Sequence, residues 1–227
     1  MSAREPRAAV RKILRLLESF FGPLEPPHRS DPLEELILTV LSQHTSDLNA
    51  ERAFADLSAA YPDWTAVEGA EERALVEVIR SGGLANTKAP RIQAILREVR
   101  AREGTFDLSV LRAMSDEEAR SYLISLPGVG PKTAAVVLSF SLGRDTMPVD
   151  THVHRVSGRL GLIPARTSAE KADRILHDLI PEGLRTPLHV GFIRLGRGVC
   201  KARDPRCREC PLSDVCPLGR ATTGKSG

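Results

Sequence analysis

The sequence contains no apolar run that approaches the roughly 18–20 residues needed to cross a membrane. Aromatic residues are scarce, at 4% of the 227 positions, yet hydrophobic residues reach 41%, so neither a disordered tail nor a fibrous repeat is expected. The first 21 residues mix arginine, lysine and glutamate with apolar residues, which is not the pattern of a secretory signal. These features predict a soluble, cytoplasmic or nucleoid-associated protein that does not bind a membrane.

The net charge is only +3, but it is unevenly distributed along the chain. Residues 185–227 contain nine lysines and arginines against three acidic residues, whereas the rest of the chain is mildly acidic. A basic segment on an acidic body indicates a surface that binds a polyanion. A solvated basic tail explains the same charge pattern, and charge alone does not decide between the two.

All four cysteines lie in one short segment with the spacing C-x6-C-x2-C-x5-C: Cys200, Cys207, Cys210 and Cys216. Because no secretory signal is recognised, a disulfide framework is disfavoured. Four thiolates on one loop suit either a zinc ion or an iron–sulfur cluster. Zinc ribbons usually use two separate C-x2-C pairs, and this segment has one such pair, so the spacing favours a cluster.

Apolar residues recur at helical spacing through most of the chain, and no stretch alternates as a half-buried strand would. Ser115 with Glu118, and Thr167 with Glu170, have the spacing of capping boxes at helix starts. The pattern predicts an all-α fold of about ten short helices. The apolar stripes comprise Val10, Ile13, Leu14, Leu17 and Phe21; Leu33, Leu36, Ile37, Val40, Leu41 and His44; Ile92, Ile95, Leu96 and Val99; Ala172, Ile175, Leu176, Leu179 and Ile180; and Leu188, Phe192, Leu195 and Val199.

Residues 126–135, L-P-G-V-G-P-K-T-A-A, connect two apolar helices. Gly128 and Gly130 flank Val129 and leave backbone amides uncovered at a helix start, where they can bind a phosphate directly or through a cation. A plain helix–turn–helix connection explains the glycines equally well. Lys132 lies in the first helical turn, where the helix dipole disfavours a cation and so favours the neutral amine that a nucleophile requires. An exposed surface lysine is the alternative.

The hairpin, the segment V-D-T-H-V at residues 149–153 and the cysteine spacing together resemble endonuclease III, a bifunctional DNA glycosylase family of the helix–hairpin–helix superfamily. The resemblance runs from about residue 30 to 218. It implies that Lys132 attacks C1′ of a flipped nucleotide and forms a Schiff base, after which β-elimination cleaves the strand on the 3′ side. It implies that Asp150 is the partner carboxylate of Lys132, with two roles open to it, accepting the lysine proton and stabilising positive charge on the sugar. A helix N-cap is the other role open to Asp150.

The resemblance also implies DNA contacts from two further loops. Gly83 to Ala89 resembles the loop whose leucine wedges beside the flipped base, which makes Leu84 the wedge and places Asn86 and Lys88 near DNA. Ala85 departs from the tyrosine that is frequent in the family. The family's space-filling glutamine aligns with His44, with Gln43 one position earlier. His44 continues an apolar stripe, so a buried structural histidine and a DNA contact are both open.

Further contacts are implied after the hairpin. His152 matches a family residue near the DNA, and the cysteine loop carries Lys201, Arg203, Arg206 and Arg208, which are expected to bind phosphates. The cysteines are expected to hold a 4Fe–4S cluster. The implied architecture has a six-helix domain over residues 32–143 and a cluster domain over residues 1–31 and 144–217. DNA is expected to cross the cleft between these domains, and residues 218–227 are expected to be disordered.

The implied activity is base excision repair by a monomer acting on double-stranded DNA that contains damaged pyrimidines or abasic sites. Oxidised pyrimidines such as thymine glycol are the expected substrates. Two alternatives remain. One is a monofunctional glycosylase relative, a class that lacks the lysine found here at Lys132. The other is a non-catalytic DNA-damage-binding protein that keeps the fold while His44 and Ala85 have altered the pocket.

Overall fold

The computed structural model describes residues 4–26 and 31–224. Within these ranges the chain forms twelve α-helices, three short 3-10 helices and no strand, which confirms the all-α prediction. In the same ranges no helix is long and apolar enough to cross a membrane. The chain divides into two compact units, a discontinuous unit of Met1–Pro27 with Asp145–Gly227 and a continuous unit of His28–Arg144.

The continuous unit contains seven of the α-helices where six were expected, and two of the seven, Trp64–Gly69 and Glu72–Val78, are short. Asp31 and Arg144 also belong to this unit. The Asp31 carboxylate caps α2 by accepting from the amides of Leu33 and Glu34. The seven helices are α2 (Pro32–Ser42), α3 (Asp47–Ala60), α4 (Trp64–Gly69), α5 (Glu72–Val78), α6 (Ala85–Glu103), α7 (Asp116–Ile124) and α8 (Pro131–Phe140), with 3-10 turns at Arg80–Gly82 and Ser109–Arg112.

Two of the predicted apolar stripes form the core of the continuous unit. Helix α2 packs against α3 and α8, and α6 packs against α4 and α5. Helix α7 begins with the predicted capping box, in which the Ser115 hydroxyl accepts from the Glu118 amide and the Glu118 carboxylate accepts from the Ser115 amide. The fully buried members of the two stripes are Leu33, Leu36, Ile37, Val40 and Leu41 on α2 and Ile92, Ile95, Leu96 and Val99 on α6.

The discontinuous unit joins α1 (Arg4–Phe21) to the C-terminal part of the chain, where α11 (Arg185–Gly198) packs against both α1 and α9 (Thr151–Arg159). Glycine at position 191 permits the close approach of α1, because a Cβ there would lie 2.9 Å from Leu17 Cδ1. The helices are α1 (Arg4–Phe21), α9 (Thr151–Arg159), α10 (Ala169–Leu179), α11 (Arg185–Gly198) and α12 (Pro217–Thr223), with a 3-10 turn at Cys207–Glu209.

Two sequence predictions in this unit are wrong. The N-cap of α10 is Ser168, whose hydroxyl accepts from the Lys171 amide, because the Thr167 hydroxyl instead donates to the Pro164 carbonyl. The segment after residue 217 was expected to be disordered, yet it forms α12, with a proline at its first position. Gly219 lies so close to the cysteine loop that a Cβ there would be 2.6 Å from the Ser213 carbonyl oxygen. The last three residues, 225–227, lie outside the described residues.

Candidate active site

The hairpin between α7 and α8 presents backbone amides at the start of α8. Gly128 has a left-handed φ of +71°, which favours glycine, and Gly130 is the N-cap of α8. Among the described residues, the amides of Gly130, Lys132 and Thr133 donate to no acceptor. Val129 departs from the expected DNA contact, since its side chain is 5% exposed and its amide donates to the Leu126 carbonyl. The hairpin therefore offers three amide donors, and Val129 anchors it.

Lys132 is exposed at the second position of α8. The residues that follow it, from Thr133 to Ser139, are buried, so the helix that carries the lysine is firmly held in the core. Within the part of the chain that the structure describes, the Lys132 amine has neither a hydrogen bond nor an ion pair. An amine in this position is accessible to a substrate and is not committed to a structural contact.

Asp150 is the N-cap of α9 and is half-buried. Its Oδ1 accepts from the Val153 amide at 2.7 Å, so the capping role is confirmed. Its other oxygen, Oδ2, has no hydrogen-bond partner among residues 4–26 and 31–224. One carboxylate oxygen is thus structural and the other is available. Lys132 belongs to the continuous unit and Asp150 to the discontinuous unit.

Helix α9 connects Asp150 to the cysteine loop through two arginines that the sequence analysis missed. Arg155 donates from Nε to the Cys200 carbonyl at 3.0 Å, and its NH2 lies 3.1 Å from Nδ1 of half-buried His152. Arg159 donates from NH1 to the Cys200 Sγ at 3.2 Å and to the Lys201 carbonyl at 2.7 Å. The sequence does contain a signal for this pair, because two arginines four residues apart lie on the same face of the helix that follows Asp150.

All four cysteines lie in the discontinuous unit, and none forms a disulfide. Burial, and then the neighbouring Cys200, Cys216 and Cys207, raise the pKa of the Cys210 thiol to about 11. Cys216 Sγ donates to the Arg159 carbonyl at 3.3 Å. Among the described residues, no group of three or more His, Cys, Asp or Glu side chains is arranged to hold a single metal ion.

This donor set fits an iron–sulfur cluster. Four free thiols, two of them buried and two half-buried, lie on one loop, and the Arg159 guanidinium donates to one sulfur. Thiolate ligands and hydrogen bonds to sulfur are the features that such clusters use. The fit rests on the chemistry of the donors and on their position in one short segment.

The loop before α6 contains one exposed apolar side chain. Leu84 is 57% exposed and has a left-handed φ of +50°, a conformation that is uncommon for a branched apolar residue. Asn86 is exposed, whereas Ala85 is buried. Leu84 and Asn86 are therefore accessible to a ligand, as the predicted DNA contacts require.

The prediction that Lys88 contacts DNA is not supported by its environment. Its side chain is only 2% exposed, and Nζ donates to the carbonyl oxygens of Leu41 at 2.6 Å and Gly82 at 2.8 Å. Burial, and then the neighbouring Arg91 charge, lowers the pKa of Lys88 to about 8. Lys88 therefore connects the end of α2 to the loop before α6 and does not present its amine to DNA.

The segment after α2 differs from the expected continuous helix. Helix α2 ends at Ser42, Gln43 is extended, and His44 is exposed with a left-handed φ of +56°. The interpretation of His44 as a buried structural residue is therefore wrong. The Gln43 side chain accepts through Oε1 from Arg91 NH1 at 2.8 Å.

The basic side chains of the cysteine loop divide into two groups. All four are exposed, but Arg206 donates to the Gly198 carbonyl and forms a 2.9 Å ion pair with Glu209. Among the described residues, Lys201, Arg203 and Arg208 have no such partner. Arg206 therefore braces the loop, and the other three charges remain available for phosphates.

Residues 37–182 match the family of HhH-GPD superfamily base excision DNA repair proteins, which covers more than half of the chain. The chain belongs to this family. As an HhH-GPD protein it is a base excision repair enzyme of the DNA glycosylase class, and the resemblance to endonuclease III is confirmed. It is 36% identical to endonuclease III of Thermotoga maritima over 191 residues, which cover 84% of this chain and 85% of that protein.

Further relatives extend the same similarity over nearly the full length of this HhH-GPD chain. It is 34% identical to endonuclease III of a Synechocystis species over 224 residues, which cover 98% of this chain and 97% of that protein. It is also similar to a solved structure of a trapped endonuclease III–DNA covalent intermediate, in an estranged-adenine complex. That similarity has a TM-score of 0.83 and 29% identity, and it covers 98% of this chain and 99% of the other.

Proposed function

We propose that this HhH-GPD enzyme is a bifunctional DNA glycosylase and abasic-site lyase that removes oxidised pyrimidines from double-stranded DNA. The observation that carries this proposal is the exposed Lys132 amine at the start of α8, which, like the backbone amides of Gly130, Lys132 and Thr133, has no partner among the residues that the structure describes. A glycosylase without lyase activity needs no amine at this position. The resemblance to a structure named as a trapped covalent protein–DNA intermediate supports the covalent route.

The chemistry begins when the damaged nucleotide leaves the base stack, because C1′ is inaccessible within a duplex. The neutral Lys132 amine attacks C1′ and the bond to the damaged base breaks, with the base leaving with the bonding electron pair. Loss of the amine proton and opening of the sugar ring give the Schiff base. Removal of a proton from C2′ then expels the 3′ phosphate by β-elimination, and water releases the lysine.

Asp150 supplies the negative charge that this sequence of steps requires. While Oδ1 caps α9, Oδ2 is available to accept the proton of the attacking amine and to stabilise positive charge on the sugar. Because the capping hydrogen bond fixes the carboxylate, the charged oxygen is held in one position throughout the reaction. An aspartate is suited to both tasks at once.

Several groups are proposed to hold the duplex. The amides of Gly130, Lys132 and Thr133 bind a phosphate at the start of α8, where the helix dipole favours an anion. Leu84 inserts beside the flipped base, and its exposed, strained conformation suits a wedge. Lys201, Arg203 and Arg208 bind phosphates from the cysteine loop. His44, Asn86 and His152 complete the proposed DNA contacts.

The cofactor is proposed to be a 4Fe–4S cluster held by Cys200, Cys207, Cys210 and Cys216. When bound, it would stiffen the loop that carries the basic residues, and it supplies an electron-transfer centre. Arg159 donates to the Cys200 sulfur and to two loop carbonyls, so it would hold the loop and the sulfur together. The enzyme is proposed to act as a monomer on nucleoid DNA in the cytoplasm.

Borohydride trapping on a duplex with one thymine glycol tests the activity. Wild-type protein should form a covalent adduct, and Lys132→Gln should form none while it still binds the duplex. Lys171→Gln is the matched control, because Lys171 is an exposed lysine in the first turn of another helix, α10. An adduct on an abasic site but not on thymine glycol would contradict the proposed substrate. No adduct on either duplex would favour the non-catalytic alternative, and an adduct with Lys132→Gln would refute the nucleophile.

A further inference from the structure

Two cationic side chains on one face of α6 connect segments that are far apart in the sequence. Lys88 and Arg91 are three residues apart, so their side chains lie on the same side of the helix. Lys88 donates to the carbonyls of Leu41 and Gly82, which lie 47 and 6 residues away. Through this one ammonium group, the last turn of α2 and the loop that carries Leu84 are tied to α6.

Arg91 makes a second connection, to the side chain of Gln43. Its NH1 donates to Gln43 Oε1 at 2.8 Å across 48 residues of sequence. Arginine has five N–H donors and no acceptor, so the glutamine must offer its oxygen to it. The orientation of the Gln43 amide therefore follows from the chemistry of its partner. Among the described residues, the Gln43 Nε2 group has no acceptor.

Arg91 also lies against the hairpin turn. A Cβ built on Gly128 would be 2.4 Å from Arg91 Nε and 2.6 Å from its Cδ, so the arginine stem occupies the space that any other residue would fill. Glycine is thus favoured at position 128 by its φ of +71°, and a Cβ there would force the Arg91 side chain to move. The guanidinium connects the hairpin that bears Lys132 with the Gln43 amide.

We propose that Arg91 is a positioning residue that acts through Gln43. It fixes the glutamine as a hydrogen-bond donor, with Nε2 directed to an acceptor on a base edge of the DNA, and it keeps this donor in register with the hairpin. The inference rests on the proposed function only in that the ligand is DNA with a displaced nucleotide. In this arrangement Gln43, adjacent to exposed His44, donates a hydrogen bond from its side-chain amide to a DNA base.

The test is the dissociation constant for a duplex that contains a tetrahydrofuran abasic-site analogue, measured by fluorescence anisotropy. This ligand does not react, so the result is independent of lesion preference and of the Schiff-base chemistry. Arg91→Met and Gln43→Met should each weaken binding about tenfold, the effect of one lost charge-assisted or base-directed hydrogen bond. The double variant should also be weakened about tenfold, because both changes remove the same contact. Arg97→Met, on the same helix and exposed, is the matched control and should bind as the wild type does.

Two conservative variants separate positioning from structural support. Arg91→Lys keeps a donor for Gln43 Oε1 and should recover part of the affinity. Gln43→Glu keeps the acceptor for Arg91 but has no donor, and should bind as weakly as Gln43→Met although its melting temperature is unchanged. A double variant weakened by the product of the two single effects would overturn the proposal, as would wild-type affinity in Gln43→Glu. Borohydride trapping of the same variants on abasic DNA reports separately on Lys132, so a failure of the proposed function is recognised by itself.

Discussion

The Lys88 ammonium group donates a 2.6 Å hydrogen bond to the carbonyl oxygen of Leu41, 47 residues earlier in the chain. Burial and the Arg91 charge lower the pKa of this amine from 10.5 to about 8. Between these two values the unfolded chain holds a proton that the folded chain has released, so folding becomes more favourable as pH rises through this range. The penalty for burying the charge is thus present below pH 8 and is relieved above it.

Lys88→Met should lack this pH dependence. We expect the free energy of unfolding of the wild type to increase relative to Lys88→Met by on the order of 2 kcal/mol between about pH 7.5 and 9.5. Urea unfolding at the two pH values measures the difference. Lys171→Met, which removes an exposed lysine, should show no such change. Parallel pH profiles for the wild type and Lys88→Met would contradict the lowered pKa.

Gly128→Ala combines two unfavourable effects. The left-handed φ of +71° costs an alanine about 1–2 kcal/mol, and the new Cβ would collide with the Arg91 stem. Gly143 is the matched control, because it has a φ of +66° and, apart from its chain neighbours, no atom of the described residues lies within 4 Å of a built Cβ. We expect Gly128→Ala to lose more stability in urea unfolding than Gly143→Ala. It should also displace Arg91 from Gln43, and therefore weaken DNA binding about tenfold, as proposed for Arg91→Met. Equal losses in the two alanine variants would show that Arg91 gives way freely.

The two oxygens of Asp150 can be separated by substitution. Asparagine caps a helix about as well as aspartate, so Asp150→Asn should keep the hydrogen bond to the Val153 amide and the stability of α9. It removes the charge, and single-turnover base release should fall by about a hundredfold or more. Asp150→Ala should lose the activity and, in addition, about 1 kcal/mol of stability. Full base release by Asp150→Asn would exclude a catalytic role for the carboxylate.

The metal content of the purified protein tests the proposed cofactor. We expect about four irons per chain and a brown colour with broad absorption near ~400 nm, as a cluster held by four cysteines requires. Cys207→Ser should lose iron, since this buried thiol is one of the four proposed ligands. A colourless protein with one zinc per chain would overturn the assignment.

The sequence predicted the features of this fold that depend on neighbouring residues. The stripes on α1, α2 and α6 are buried as their spacing indicates, and the Ser115 capping box forms because both partners lie within one turn. The four cysteines are free thiols on one loop, as ligands of the proposed cluster must be. The N-cap of α10 shows the limit of such rules. It is Ser168 and not Thr167, because the Thr167 hydroxyl donates to the Pro164 carbonyl, three residues earlier.

Features that depend on distant partners were not predictable in the same way. Lys88 has the sequence context of an exposed loop lysine, and its burial depends on carbonyls in α2 and before α6 that no local pattern indicates. His44 fits the apolar stripe of α2, but the helix ends two residues before it, where Gln43 turns to Arg91. Helix α12 has no apolar stripe, and its position depends on the contact of Gly219 with Ser213.

The division of the chain into a continuous and a discontinuous unit has a consequence for synthesis on the ribosome. Helix α1 is made before the continuous unit, but its partner α11 begins only at Arg185. At 5–20 residues per second, the apolar face of α1 waits roughly 10–40 s for that partner to emerge. The continuous unit is complete at Arg144, before α11 is made. The thiols of Cys200 to Cys216 follow α11 in the chain, so the proposed cluster can be loaded, and α1 can close onto its core, only after all residues of the continuous unit have been made.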